Sequence, residues 1–229
     1  QGYYGKVTLI DHWVGEIMKA LEQSHLLDNT WVVYTSDHGD NLGERCLVQK
    51  MVFFDQPQLI PCIIRPPSGV TGWESKALTD QFDIVATMLD IAGAKPPVQP
   101  HGISLVPQIQ AGSKSPNAHK GKEAVFTEVF GFSTVVTDKF KMGIEAKSLQ
   151  IAELYDLKSD PAELTNLVKE PSLDEVKKEL FEKQLKLLRT SINQAERAIV
   201  EASIKGDIND WLIAQELKRL LPKMEKVYD

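Results

Sequence analysis

Apolar residues at Val7, Ile10, Val14, Ile17, Met18 and Leu21 recur at three- and four-residue steps, with Asp11, Lys19 and Glu22 between them. That spacing predicts an amphipathic helix over residues 3–24, one face wet and the other packed on a sheet. Asp28-Asn29-Thr30 then makes a turn, and Trp31 to Ser36 is a continuous apolar run. Such a run predicts a strand buried on both faces, as in parallel sheets. Residues 38–58 carry no period and form a long loop, which in a compact domain is more often functional than idle. Pro61 to Arg65 is a second short strand closed by Pro66-Pro67-Ser68-Gly69. Asp80 to Ala92 is a helix, with Phe82, Val85, Leu89 and Ala92 facing inward. Alternating helices and strands predict an α/β class.

The pattern changes after Pro96-Pro97, where Pro, Gly and Ser dominate as far as Pro116-Asn117 and mark a boundary. We therefore divide the chain into residues 1–115 and 116–229. In the second part Ala124 to Phe130, Ser133 to Thr137, Phe140 to Glu145 and Glu153 to Leu157 are short and β-rich. They predict a small antiparallel sheet. Asp160-Pro161, followed by Glu163 and Asn166, has the composition of a helix start with Asp160 capping. From Leu173 to about Leu221 two helices are predicted. Val176, Leu180, Leu185 and Leu188 line the first, and Trp211, Leu212, Leu217 and Leu220 the second, with a break near Gly206-Asp207.

Composition fits a globular chain: 229 residues, 42% hydrophobic and 25% charged, can bury a core. A net charge of -6 without a long Lys/Arg cluster argues against nucleic acid, because phosphate binding needs a concentrated basic face. No apolar run approaches the ~20 residues of a membrane span. Cys46 and Cys62 make no disulfide framework and leave the compartment open; Cys62, in an apolar stretch, has the context of a small buried hydrophobe.

The chemistry concentrates where the first strand ends, at Thr35-Ser36-Asp37-His38-Gly39-Asp40. Open α/β sheets present functional groups at strand ends, and a carboxylate beside a neutral imidazole can donate lone pairs to a divalent cation. The same residues also suit an ordinary turn, since Asp, Gly and Asn commonly follow strands. His12 falls on the flanking helix as a surface residue. His25, His101 and His119 lack partners at metal spacing and are loop residues.

Downstream come Asn41-Leu42-Gly43-Glu44-Arg45-Cys46-Leu47-Val48-Gln49-Lys50-Met51, and then Leu59-Ile60-Pro61-Cys62-Ile63-Ile64-Arg65-Pro66. In this order the motifs resemble the sulfatase family of the alkaline phosphatase superfamily. Its members carry a Ser-Asp-(His or Asn)-Gly strand end, a Gly-Glu-(His or Arg)-Gly-Leu turn and a Lys shortly afterwards. The resemblance runs back through Asp11-His12-Trp13-Val14-Gly15. It continues forward through Asp83 to Gly93 and through Glu153 to Leu167, so it covers roughly residues 2–190. Gly43-Glu44-Arg45 with Lys50-Met51 looks most like choline-sulfatase-type members, although Cys46, Val48 and Gln49 depart from them. The Cys-x-Pro-x-Arg or Ser-x-Pro-x-Arg motif that becomes the formylglycine nucleophile is missing. The resemblance therefore implies the C-terminal part of a sulfatase, inactive by itself, with formylglycine in the other part.

What the resemblance implies for fold is part of an alkaline-phosphatase-like sheet with flanking helices, a C-terminal antiparallel sheet and helices. For the site it implies Asp37 and His38 as metal ligands and Lys50 as a catalytic cation that also binds the substrate. Arg45 is a further substrate-binding candidate, unless Glu44 is its structural partner. Calcium is the expected ion, with Mn²⁺ or Zn²⁺ as the alternative because imidazole suits softer metals. A sulfate ester is the implied substrate. A phosphonate monoester or phosphodiester hydrolase on the same scaffold, or a nonenzymatic association module, is the competing reading. The C-terminal helices are candidates for contact with a second subunit.

Overall fold

The structure is a computed structural model that describes residues 2–50, 52–67, 72–95, 101–129, 132–145, 148, 150–187 and 190. Helix α1 spans Gly2–Gln23, as its apolar spacing requires. It packs less than that spacing predicts, because no residue of it is buried. Val14, Met18 and Leu21 are half-covered, while Tyr4, Val7, Leu9, Ile10, Trp13 and Ile17 remain exposed.

Strand β1 (Val32–Thr35) arrives where the apolar run predicts it. It does not lie in a parallel sheet among the described residues. Its partner is β4 (Cys62–Arg65), antiparallel, with Val32 opposite Arg65 and Thr35 opposite Cys62. β1 is half-buried to exposed, not covered on both faces, because this two-stranded ribbon has little packed over it. Cys62 is exposed on the same ribbon, contrary to its expected burial.

Between these strands the predicted loop folds into a small ribbon. β2 (Asn41–Leu42) pairs with β3 (Val48–Gln49) around a tight turn at Glu44–Cys46, and a short helix α2 (Asp55–Gln58) follows. Helix α3 (Gln81–Ile91) starts in a reciprocal cap: the Asp83 N–H donates to the Asp80 carboxylate at 3.2 Å, and the Asp80 N–H donates to Asp83 at 3.0 Å. Lys122 closes on both carboxylates, 2.6 Å from Asp80 and 2.8 Å from Asp83. The inward face of α3 is Asp83, Ile84, Ala86 and Thr87, whereas Phe82 and Val85 are exposed. Polar anchoring decides this rotation. The buried Asp83 accepts from the Ile103 N–H at 2.6 Å and the Thr87 hydroxyl accepts from Leu105 N–H at 2.9 Å, which fixes the side that meets the α4 segment (Val106–Ala111).

The second half builds its own core. Strands β5 (Val125–Val129), β6 (Phe132–Val136), β7 (Phe140–Glu145) and β8 (Ile151–Asp156) form an antiparallel sheet in sequence order. Pairing sets Val135 opposite Met142 and Met142 opposite Leu154, so one face presents an apolar row. The helix over residues 174–187 covers that row with Leu180, Phe181 and Leu185. The alternate positions Thr134, Lys141 and Tyr155 face the other way, onto the segment around α2. There the Gln58 amide donates to the Thr134 hydroxyl at 3.3 Å, and the Phe54 and Tyr155 rings lie 6.2 Å apart.

Residues after Asp160 turn without forming the predicted helix. The Asp160 carboxylate instead accepts from the Thr165 N–H, and Asn166 bridges to β8 by accepting from the Leu154 N–H and donating to the Ala152 carbonyl. Side-chain bonds of this kind compete with helical ones. Leu188 and the predicted second tail helix lie outside the described residues.

Phe181 is fully buried at the centre of the helix-to-sheet contact. Phe181→Ala should cost about 3–5 kcal/mol by lost burial and cavity formation, read from urea unfolding. A loss under about 1 kcal/mol would mean that this helix does not close the sheet.

Candidate functional site

The site is built from one strand end and one loop. Leaving β1, the chain places Ser36, Asp37 and His38 in sequence, and the side chain of Gln81 at the start of α3 holds this bend from outside. Its amide donates to the Ser36 carbonyl at 3.0 Å and to the Asp37 carbonyl at 2.5 Å. Gly39 is required by close approach, since a Cβ there would stand 2.0 Å from the Gln56 carbonyl oxygen. Its N–H donates to the Pro57 carbonyl at 2.9 Å, tying the bend to α2.

Asp37 and His38 converge. The Asp37 carboxylate accepts from the His38 N–H at 3.0 Å and lies 3.2 Å from His38 Nε2. That N–H, chiefly, holds the Asp37 carboxyl below its ordinary pKa, with desolvation opposing it. Asp37 is 82% exposed, so its oxygens retain free lone pairs. His38 Nδ1 sits 2.8 Å from the Gly39 carbonyl oxygen, a contact made by an Nδ1–H donor. Nε2 is then the ring nitrogen that faces Asp37. Lys50 Nζ reaches the same Nε2 from β3's end. All three predicted residues thus share one place, with a positive group already drawn to the lone pairs.

The donor chemistry, a carboxylate plus an imidazole lone pair, fits a divalent cation in kind. It does not complete a coordination shell. Among the described residues no group of three or more His, Cys, Asp or Glu could hold a metal.

Arg45 has a different setting from the other three. Its guanidinium donates to the Gln56 side chain at 3.0 Å and to the Ala162 carbonyl, stands 3.8 Å from the Glu163 carboxylate, and lies 3.7 Å over the Phe54 ring. Glu44 is not its partner; the Glu44 carboxylate accepts from the Leu42 N–H instead. Glu163 is in turn paired with Lys141, which also holds Asp55. Sequence reading missed Glu163, Lys141, Asp55 and Gln81. The one available signal was a charged residue, Lys141, inside a strand of apolar neighbours. His12 is a surface residue stacked edge-on with Trp13, and His119 accepts from the Lys76 N–H.

With this geometry in place, the relatives can be compared. A family model described as N-sulphoglucosamine sulphohydrolase, C-terminal, matches residues 43–191, well over half of the chain. The chain belongs to the sulfatase family. An N-acetylglucosamine-6-O-sulfatase of Bacteroides thetaiotaomicron is 30% identical over 190 residues, which is 79% of this chain and 34% of the relative. A choline-sulfatase of Rhizobium meliloti is 33% identical over 178 residues, 75% of this chain and 33% of that protein. Among solved structures, one in complex with its substrate D-glucosamine-2-N,6-O-disulfate superposes with TM-score 0.69 at 30% identity, covering 82% of this chain and 39% of the other. The phosphonate monoester hydrolase of Agrobacterium radiobacter superposes at 0.67 and 26% identity, covering 81% and 40%. The fold is the alkaline-phosphatase-like α/β fold of these sulfatases, and the chain spans about a third of the length of the curated relatives it matches. No helix among the described residues is long and apolar enough to cross a membrane.

Glu153, beside this charge network, has its carboxyl pushed above the ordinary value of 4.5, mainly by burial, with the Tyr155 hydroxyl opposing and the Glu163 charge reinforcing. The folded state therefore holds this proton more tightly than the unfolded chain. Its stabilising contribution is complete below the unfolded value and is lost as pH rises through the shifted one. Glu153→Gln should consequently gain on the parent chain as pH rises from the ordinary value of 4.5 through the shifted one, seen as a widening gap between their melting temperatures. A gap that stays constant with pH would contradict the shift.

Proposed function

We propose that this chain carries the strand-end metal ligands and the cationic loop of a sulfuric ester hydrolase. The observation that supports it is the meeting of Lys50 Nζ and Asp37 at the single free nitrogen of His38, in a chain of sulfatase descent. A sulfate ester resists attack because its oxygens repel an anionic nucleophile, so catalysis needs positive charge around it. Asp37 and His38 would bind the divalent cation, Ca²⁺ in our reading and Mn²⁺ or Zn²⁺ as the alternative. Once bound, that ion supplies Lewis-acid stabilisation of the sulfate oxygens. Lys50 contributes an ammonium within reach of the same place, able to neutralise the sulfate and to protonate the departing oxygen.

The nucleophile, expected as formylglycine, and the remaining ligands belong to sulfatase sequence outside this chain. Two features support that reading. Two donors supply only part of a Ca²⁺ shell, which takes six to eight oxygen ligands, and leave the chain by itself a weak residual site. The apolar face of α1, together with Ile63 on β4 and Phe82 on α3, lacks the cover that a complete α/β layer gives. We therefore expect the chain alone to be inactive. Phosphonate monoester hydrolysis is the second reading, favoured by the likeness to the Agrobacterium radiobacter enzyme.

Calcium should raise the melting temperature of the chain through mass action, by roughly 2.7 kcal/mol at a hundredfold excess over Kd. That corresponds to several degrees for a chain of this size, and Asp37→Asn should abolish the rise. Absence of a shift with Ca²⁺ and Mn²⁺ alike would remove metal binding by this chain alone and favour an association module or a site that needs its other half.

Activity separates the two esterase readings. The chain joined to the preceding sulfatase sequence should cleave an aryl sulfate faster than an aryl phosphonate, and Lys50→Ala should slow it about 10²–10³-fold. Preference for the phosphonate would overturn the sulfatase assignment.

A further inference from the structure

The loop between β2 and β3 is strained. Gly43, Arg45, Cys46 and Gln49 all have positive φ, at 116°, 50°, 59° and 69°. Three of these are not glycine, and a non-glycine residue in that region costs of order 1 kcal/mol or more and persists only where its surroundings over-determine it. The loop's own backbone ribbon is two residues per strand, too short to do so.

The Arg45 guanidinium supplies the missing constraint. It meets four separate groups: the Gln56 side chain, the Ala162 carbonyl, the Glu163 carboxylate and the Phe54 ring. Glu163 is an unusually firm anchor. It is 1% exposed, has a positive φ of 54°, accepts from the Asp55 N–H at 2.9 Å, and is ion-paired with the buried Lys141 of β7. The C-terminal sheet thus grips the strained loop through one planar, five-donor cation, a geometry that lysine cannot copy.

We propose that Arg45 is a positioning residue, held by Glu163, that fixes the loop in the one conformation presenting Lys50 to His38. Its consequence for cation binding rests on the reading of Asp37, His38 and Lys50 given above; the grip itself does not. Both Nη groups of Arg45 are engaged within the protein, so the proposal gives it a positioning task in place of the substrate contact expected from the sequence.

Limited trypsin digestion of the 229-residue chain, followed by mass spectrometry, tests the grip. The bond after Lys50 should resist cleavage in the parent chain. In Arg45→Ala it should be cut at least tenfold faster relative to the bond after Lys139, in the exposed turn before β7. Arg45→Lys, which keeps the charge and loses the fork, should fall between the two and covers the case in which the alanine variant does not fold. An unchanged ratio of the two cleavages in the folded variants would overturn the proposal. Mn²⁺ titration calorimetry supplies the readout that a merely structural tie would not move. Affinity should fall at least threefold in Arg45→Ala with the far-UV spectrum unchanged, and equal affinity would reduce Arg45 to scaffolding and overturn its positioning role. A parent chain that binds no Mn²⁺ would count against the metal reading, while the cleavage ratio would still decide the grip.

Discussion

A buried ammonium joins the two halves of this protein. Lys141 projects from the face of the antiparallel sheet opposite its core, is 2% exposed, donates to the Phe53 carbonyl at 3.1 Å, and pairs with Asp55 and Glu163. An isolated charge at that depth would be prohibitively unfavourable, so its partners must be present for the sheet to sit where it does. Two carboxylates around one ammonium leave negative charge in excess, and Arg45, at the edge of the cluster, balances it. The order of the loop that carries Lys50 follows from the solvation of a lysine on a distant strand.

The two sides of the candidate site are fixed by different physics. Asp37 and His38 are set by a strand end, a glycine against which Gln56 passes closely, and the Gln81 amide. These contacts come from α2 and α3, and α2 is itself tied to the second sheet through Asp55 and Gln58. Lys50 depends on the long-range constraint through Arg45 and Glu163, which are more than a hundred residues apart in sequence. The two strand-end side chains are thus held by the bend that carries them, and the ammonium beside them by contacts reaching in from beyond β8.

How much of this was legible depended on whether a residue's role was local. Helix α1 was readable from its 3.6-residue period, strand β1 from a continuous apolar run, and the four C-terminal strands from short β-rich segments, all of them written into consecutive residues. The antiparallel pairing of β1 with β4 was not readable, because an apolar run reports burial and not direction. The rotation of α3 was missed since Asp83 and Thr87, both polar, are buried by bonds to residues of the following segment that periodicity does not weigh. Asp37, His38 and Lys50 could be named from motif spacing. Glu163 could not: beside Asp160-Pro161 it has the composition of a helix start, and only the meeting with Lys141 and Arg45 in space gives it a different task.

The halves also differ in how far they satisfy themselves. Val135, Met142, Ile144 and Leu154 are covered by Leu180, Phe181 and Leu185, so the C-terminal sheet closes its own core. Around β1 and α1 the reverse holds: aromatic and aliphatic side chains from Tyr4 to Ile17 stay in water, and the two donors at the strand end would supply only part of the shell of the proposed cation. Hydrophobic burial and metal coordination are independent demands, one proportional to apolar area and the other to ligand number. Both are met at residues 116–187 or do not arise there, and both are unmet in the region that bears the site. A shared deficit of two unrelated kinds has a simple common origin in a neighbouring layer that would bring apolar cover and oxygen ligands together.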